Sequence, residues 1–266
     1  IHGVCSTMTL KKTDALPWRS VWITGAGRGI GRALTILLAE HGVNVYASSR
    51  TAAELETLAS DYQHLPGEII PIILDITCTE QVVELIDGWD QSAFFPELVI
   101  LNAGTHDPFS ADQFSARRCK KLFDVNLQGT VNCLEPALLR MLKQDQGHIA
   151  VMASVAGYRG LPTAAAYGAS KAALIHLCES LRLDLKDTHV KLQVINPGFV
   201  KTPLTDKNEF TMPALLTADD AAQRILKGLL SQRFEITFPK RFTFILKLLR
   251  MLPYPVYFYV VGKLVK

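Results

Sequence analysis

Residues 21–42 read VWITGAGRGIGRALTILLAEHG. The first four, VWIT (21–24), suit a short buried strand, and GIGRALTILLAEHG (29–42) carries the apolar period of a helix. Between them lies a turn that glycine makes possible, because a residue without Cβ bends sharply and lets other groups come close to its backbone. The spacing G-x-G-x-x-G fails here, since from Gly25 and Gly27 the third glycine would fall on Ile30. T-G-x-x-x-G-x-G fits, with Gly25, Gly29 and Gly31. A strand, such a turn and a helix, in that order, predict a pyrophosphate at the helix N-terminus, where free N–H groups and the dipole favour anions.

The alternation continues outward from this stretch. Further strands read NVYASS (44–49), EIIPIILD (68–75), ELVILNAG (97–104), HIAVMAS (148–154), KLQVINPG (191–198) and RFEITF (233–238). Between them come helical patterns at TAAELETLASDYQ (51–63), TEQVVELIDGW (79–89), 112–143, 164–187 and 218–231. Apolar strands alternating with helices predict an α/β fold, a doubly wound parallel sheet with helices on both faces. No Pro- or Ser-rich linker and no repeat divides the chain. The expected organisation is one domain over 18–239, an N-terminal extension over 1–17 (1–7 reading as a remnant outside the fold) and a tail over 240–266.

The chain has 266 residues, 48% hydrophobic and 20% charged, enough for a sizeable core. A net charge of +3 gives no support for nucleic-acid binding. The distribution is more telling: six cations and no acid lie in 240–266, leaving 22 basic against 25 acidic residues before them. The five cysteines are odd in number, widely spaced and without a CxxC pair. That argues against a disulfide framework or a metal site and for a reducing, cytoplasmic compartment. No charged start followed by an apolar run marks a secretory signal.

A cofactor with a free ribose 2′-hydroxyl is commonly held by an acid about 20 residues beyond the glycine loop. NVYASSR (44–50) offers Ser48, Ser49 and Arg50 instead, and Arg28 stands in the loop itself. Two guanidiniums suit a 2′-phosphate, so NADP(H) is expected over NAD(H).

In TAAAYGASKAAL (163–174), Tyr167 and Lys171 stand four apart, on one face of a helix. A free phenol titrates near pH ~10 and is a poor acid–base group at neutral pH. A neighbouring ammonium in a partly dry site would favour the phenolate, and such a tyrosine could pass a proton to a carbonyl oxygen. Ser154, ending the fifth strand, could hydrogen-bond the same oxygen.

TGAGRGIG (24–31), NAG (102–104), Asn126, Ser154, Tyr167-x-x-x-Lys171 and PG (197–198), in this order and spacing, closely resemble the short-chain dehydrogenase/reductase family over residues 18–238. The resemblance implies a Rossmann-type domain, a nicotinamide cofactor and chemistry on an alcohol/carbonyl pair. By the same resemblance Tyr167 is the general acid/base and Lys171 lowers its pKa and binds the nicotinamide ribose. Ser154 polarises the substrate, and Asn126 helps hold a water-linked proton relay. The cofactor is expected against Thr24, Gly25, Gly27, Arg28, Gly29, Ile30 and Gly31, then Ser49 and Arg50, then Asp75 and Ile76 near the adenine. Asn102, Ala103 and Gly104 would line it, as would Tyr167 and Lys171, with Pro197, Gly198, Val200 and Thr202 beside the nicotinamide amide. The family also implies a homodimer or homotetramer.

Residues 199–216, FVKTPLTDKNEFTMPALL, are expected to be a substrate lid, with Phe199, Leu204, Phe210, Met212, Leu215 and Leu216 as an apolar cover. The basic run RRCKK (117–121) reads as a solvated helix face. For the tail, the longest uncharged run is Met251 to Gly262, broken by Pro253 and Pro255 and too short to span a bilayer. Two readings stay open: packing on the body or a subunit interface, or contact with a membrane surface through 242–266. The expected function is an NADP(H)-dependent reductase of an apolar small-molecule carbonyl, or oxidation of the matching alcohol. The alternatives are an NAD(H)-dependent alcohol dehydrogenase and a non-catalytic nucleotide-sensing or membrane-peripheral protein.

Overall fold

The computed structural model describes residues 15–207 and 212–264. Among these, seven strands form one parallel sheet: β1 Ser20–Thr24, β2 Asn44–Ser49, β3 Ile69–Ile73, β4 Leu98–Leu101, β5 Gly147–Met152, β6 Val190–Pro197 and β7 Glu235–Phe238. Their order is β3-β2-β1-β4-β5-β6-β7. The helices are α1 Gly29–Glu40, α2 Ala52–Asp61, α3 Thr79–Gln91, α4 Ala116–Phe123, α5 Gly129–Gln144, α6 Ala165–Asp184, α7 Ala218–Leu229, α8 Lys240–Met251 and α9 Tyr254–Leu264.

The two faces follow from the strand period of two. In β1, Val21 and Ile23 point into one core with Leu34 and Leu38 of α1, Leu55 of α2 and Ile225 of α7. Trp22 points into the other, with Val82 of α3, Met141 of α5 and Leu174 of α6. There the Trp22 ring meets Trp89 edge-on at 5.3 Å, and Tyr46 and Phe94 complete the aromatic group. Pro71 lies in β3, an edge strand, where a missing N–H costs least.

Differences from the expected elements lie where the chain turns toward the site. The strands expected over 68–75 and 97–104 end at Ile73 and Leu101, because the residues after them leave the ladder to line a cavity. The single helix expected over 112–143 is a 3₁₀ turn at Ala111–Gln113, α4, a π-helical turn at Asp124–Gln128 and α5. The run 117–121 is not simply solvated: Cys119 is buried, and Arg118 donates two hydrogen bonds to Asp107, at 2.8 and 2.6 Å. The tail, for which the sequence pattern predicts no element, is the helix pair α8 and α9, and no described helix is long and apolar enough to cross a membrane.

The four described cysteines are free thiols, and Cys5 lies outside the described residues. Burial pushes the Cys133 and Cys178 thiols up to about 12, so both act as small apolar groups. Leu38 is fully buried between α1 and the sheet. Leu38→Ala should cost about 2–5 kcal/mol of stability, read as a lower urea midpoint at unchanged slope.

Candidate active site

The strand order reverses between β1 and β4, and their C-terminal ends open a crevice there. Gly25 and Gly29 carry φ of +68° and +57°, a region where a side chain would be strained. Shape is the stronger constraint. A Cβ on Gly25 would stand 2.8 Å from the Ala103 Cα, and one on Gly31 only 2.2 Å from the Gly25 carbonyl oxygen. The loop can therefore lie directly on the segment after β4, which holds it. The Asn102 side-chain amide donates to the carbonyls of Thr24 and Gly25 at 3.0 and 3.1 Å. The N–H groups of Asn102 and Ala103 donate to the Thr24 hydroxyl at 3.0 and 3.1 Å. Helix α1 then starts without a side-chain cap and without an acid in its first turn, leaving its first N–H groups to a ligand.

A cavity of about 420 Å³ runs from this loop to the end of β5. Its walls include Gly25, Gly27, Arg28, Gly29 and Ile30, then Ser49, Arg50, Asp75 and Ile76, and Asn102 to Gly104. Ser154, Tyr167, Lys171, Pro197, Gly198, Val200 and Thr202 line the rest. Of the residues singled out from the sequence, Thr24, Gly31 and Asn126 stand behind the wall instead and shape it. Arg28 is exposed, and Arg50 lies 3.8 Å from an Asp75 carboxylate oxygen. Burial would raise the Asp75 carboxyl, but two hydrogen bonds from Thr77 and the charge of Arg50 outweigh it and hold the group below its ordinary value. Glu54 also lines this end, beside Gly27 and Ser49. The sequence pattern does not indicate it, because the acid of a ribose site is expected at the end of the strand, whereas here α2 begins at once and returns its first turn to the cavity.

At the other end α6 presses onto the segment after β5. Cβ atoms on Gly157 and Gly168 would meet the Lys171 carbonyl carbon at 2.7 Å and the Ala156 oxygen at 3.0 Å. Only bare backbone allows that approach, and it brings Tyr167 and Lys171 to Ser154. The Ser154 hydroxyl accepts from the Ala156 N–H at 3.1 Å and stands beside the Tyr167 phenol, whose pKa it pulls downward. The Lys171 ammonium donates to the Met152 carbonyl at 2.7 Å, with its nitrogen 5.9 Å from the centre of the Tyr167 ring.

The titrations differ from the expectation drawn for this pair. Burial raises the Tyr167 phenol, and the Ser154 hydrogen bond opposes that rise without overcoming it. Lys171 is itself drawn down from 10.5 to about 8 by burial. Desolvation is therefore the leading influence on both groups. His106, not anticipated from the sequence, packs edge-on against Tyr167 at 4.6 Å.

Asn126 sits in the π-helical turn, fully buried. Its Oδ1 accepts from the Thr105 N–H at 2.7 Å, and its Nδ2 donates to the Thr105 carbonyl at 2.9 Å and the Ser170 hydroxyl at 3.2 Å. All its side-chain groups are thus engaged, and it clamps the strand exit that passes Lys171.

Of the lid residues expected to cover the site, Leu204 lines the cavity and Leu216 packs on the core. Phe199 turns away to meet Phe242 at 5.7 Å, Leu215 is exposed, and Phe210 lies outside the described residues. A cation joins the lining that the apolar pattern did not indicate: Lys207, whose ammonium donates to the His106 carbonyl at 2.7 Å.

Lys171 supplies a test of this geometry. A lysine with its folded pKa lowered to about 8 from 10.5 binds fewer protons folded than unfolded between those values, so it raises stability as pH rises through that window. Lys171→Met should be more stable than wild type at pH 7, and the gap should narrow as unfolding is measured from pH 8 to 10.5.

The comparisons with known proteins agree with this architecture. The profile of the short chain dehydrogenases matches residues 19–212. An uncharacterized oxidoreductase of Myxococcus xanthus is 36% identical over 242 residues, 91% of this chain and 96% of that protein. A 3-oxoacyl-acyl-carrier-protein reductase of Thermotoga maritima is 31% identical over 185 residues, 70% of this chain and 75% of its own length. Among solved structures, ElxO with NADP bound matches with a TM-score of 0.72 at 25% identity, over 83% of this chain and 97% of ElxO. By its sheet order, its glycine loop and these matches, the chain belongs to the short-chain dehydrogenase family of oxidoreductases.

Proposed function

We propose that the chain is an NADP(H)-dependent oxidoreductase that reduces the carbonyl of an apolar small molecule, or oxidises the matching secondary alcohol. The observation that carries this is the convergence of Ser154, Tyr167 and Lys171 at one end of a cavity whose other end is a glycine loop flanked by Arg28 and Arg50. The residues present suit a dinucleotide: the bare positions at Gly25 and Gly31, the uncapped start of α1 and two guanidiniums are what a pyrophosphate and a ribose phosphate require. Thr24, Gly27, Gly29 and Ile30 would complete the cradle. Asp75 and Ile76 would flank the adenine, and Asn102 to Gly104, Pro197, Gly198, Val200 and Thr202 the nicotinamide side. When bound, the nicotinamide supplies or accepts the hydride.

The chain's own side chains handle the oxygen. Ser154 donates a hydrogen bond to it, which stabilises the charge that develops there. Tyr167 gives its phenolic proton to that oxygen in reduction and takes it back in oxidation. A phenol kept protonated by burial suits the reductive direction. Lys171, with an ammonium held on Met152 and an ionisation near 8, stands where it can bond ribose hydroxyls and favour the transient phenolate. Asn126 keeps the Gly104–Thr105 segment in place and acts on the reaction through position.

ElxO binds NADP, which supports the choice of cofactor. Glu54 favours the second reading, NAD(H), since its carboxylate beside Gly27 would repel a 2′-phosphate and could accept from a 2′-hydroxyl. The proposal includes a cytoplasmic homodimer or homotetramer, for which the exposed Leu139 of α5 and Leu183 of α6 offer apolar surface.

Fluorescence titration with NADPH and NADH decides between the cofactors. NADPH should bind at least about tenfold tighter, roughly 1.4 kcal/mol. Arg50→Ala should remove most of that preference, and Glu54→Gln should increase it. Equal or tighter binding of NADH would overturn the NADP(H) assignment. Tyr167→Phe should lower kcat for carbonyl reduction by about 10²–10⁴-fold while leaving NADPH affinity within about twofold. An unchanged kcat would remove Tyr167 from the reaction.

A further inference from the structure

Eight of the sixteen large apolar or aromatic side chains that stand exposed among the described residues belong to the last two helices. On α8, Phe244, Ile245, Leu248 and Met251 repeat at i, i+1, i+4 and i+7, a single stripe, and are 49–81% exposed. On α9, Tyr254, Phe258 and Tyr259 are each at least 64% exposed. The opposite faces are committed to the body. Phe242 and Leu246 pack on the core, and Thr243, Tyr257 and Val261 are buried.

The placement of the pair is set by the catalytic end of the molecule. Arg159, five residues after Ser154, donates to the carbonyls of Leu249, Arg250 and Leu252 at the end of α8, at 2.8, 3.0 and 2.6 Å, the first of which also accepts from the Leu252 N–H. Its guanidinium also lies over the rings of Tyr254 and Tyr257 at 4.9 and 4.0 Å. The Tyr257 hydroxyl donates to the Gly160 carbonyl. Phe242 meets Phe199, just beyond the Pro197–Gly198 wall of the cavity. The exposed stripe is therefore held rigidly beside the segments that frame Ser154 and Tyr167.

We propose that this face of α8 and α9 is a docking surface for an anionic lipid bilayer, on which the protein lies without crossing it. Among the described residues neither helix is long enough to cross: they have 12 and 11 residues, about 18 and 16 Å against a hydrocarbon core of about 30 Å. Charge selects the partner. Residues 240–266 hold six cations and no acid, and Arg241, Arg250 and Lys263 border the apolar stripe on exposed positions. Lys263 lies over the Tyr259 ring at 4.6 Å, an aromatic and a cation paired as they would sit at headgroup level. A second copy of the chain is the poorer occupant. A two-fold contact through this face would set Arg241, Arg250 and Lys263 against their own equivalents, and the neighbouring acid, Glu235, is already paired with Lys247. With the catalytic end fixed beside the stripe, docking holds the mouth of the site close to the lipid.

The test uses the full purified chain and extruded vesicles of phosphatidylcholine alone or mixed with phosphatidylglycerol. The protein should sediment with the mixed vesicles, stay in solution with phosphatidylcholine alone, and be released as ionic strength rises. Leu248→Glu and Phe258→Glu, both at exposed positions, should each weaken sedimentation at least tenfold without lowering the thermal midpoint. A wild-type protein that ignores the mixed vesicles overturns the proposal, as do glutamate variants that sediment like wild type. A wild type that runs as a dimer, becomes monomeric on Leu248→Glu and binds no vesicles assigns the face to a second copy and also overturns it. Sedimentation is read without cofactor or substrate, so its outcome stands apart from that of the oxidoreductase assignment.

Discussion

The structure depends on the lacing between the ends of β1 and β4. The Asn102 amide and the N–H groups of Asn102 and Ala103 spend four hydrogen bonds on Thr24 and Gly25. They can do so only because no Cβ stands on Gly25 or Gly31 to hold the two segments apart. The same lacing joins the two halves of the sheet at the point where strand order reverses, so one set of contacts fixes the topology and forms the floor of the cavity. Everything else in the site is placed relative to that floor. The Asn126 clamp on Thr105 extends it toward Lys171, and the Gly157 and Gly168 contacts bring α6 down onto it.

The electrostatics of the catalytic end are those of a dry place with few charges. Tyr167 and Lys171 are both displaced toward their neutral forms, phenol up and amine down, and desolvation is the leading cause for each. The hydrogen bond from Lys171 to Met152 ties the amine to the last residue of β5, so its position is as firm as the sheet's. Such a site keeps a proton on the phenol and lets it go only to a group that develops charge nearby.

Much of this is legible in the amino-acid sequence, for physical reasons. Strand and helix periods, with glycine at the turns, reveal a parallel sheet because the central strands are buried on both faces. Tyr167 and Lys171 are legible as a pair because their i, i+4 spacing stacks them on one helix face, and Ser154 joins them through the resemblance of the whole motif set. What stays hidden depends on side chains that fold back or on balances between large terms. Glu54 reaches the cavity because α2 starts immediately after Arg50, a matter of one turn of chain direction. The direction of the Tyr167 shift needs a comparison of burial with hydrogen bonding, which no spacing contains. The π-helical turn at 124–128 holds a buried asparagine that bonds to Thr105, a partner 21 residues earlier that no helical period reveals. The lid pattern misleads because apolar residues in a loop serve the core and α8 as readily as a ligand, as Leu216 and Phe199 do.

Among the described residues of the 199–216 segment, several polar contacts end on main-chain atoms. The Lys207 ammonium takes the His106 carbonyl, and the Thr205 hydroxyl takes the carbonyls of Val200 and Thr202. At its base, backbone bonds join Lys201 to Leu216 and Leu216 to Phe199. Carbonyls and amides are present whatever side chain a position carries. Those bonds are therefore indifferent to the side chains carried at the positions they reach, while the cavity beside them is lined by side chains such as Leu204 and Lys207. What ties this backbone down and what lines the cavity are thus separable: a lining side chain can change size or polarity without removing those bonds.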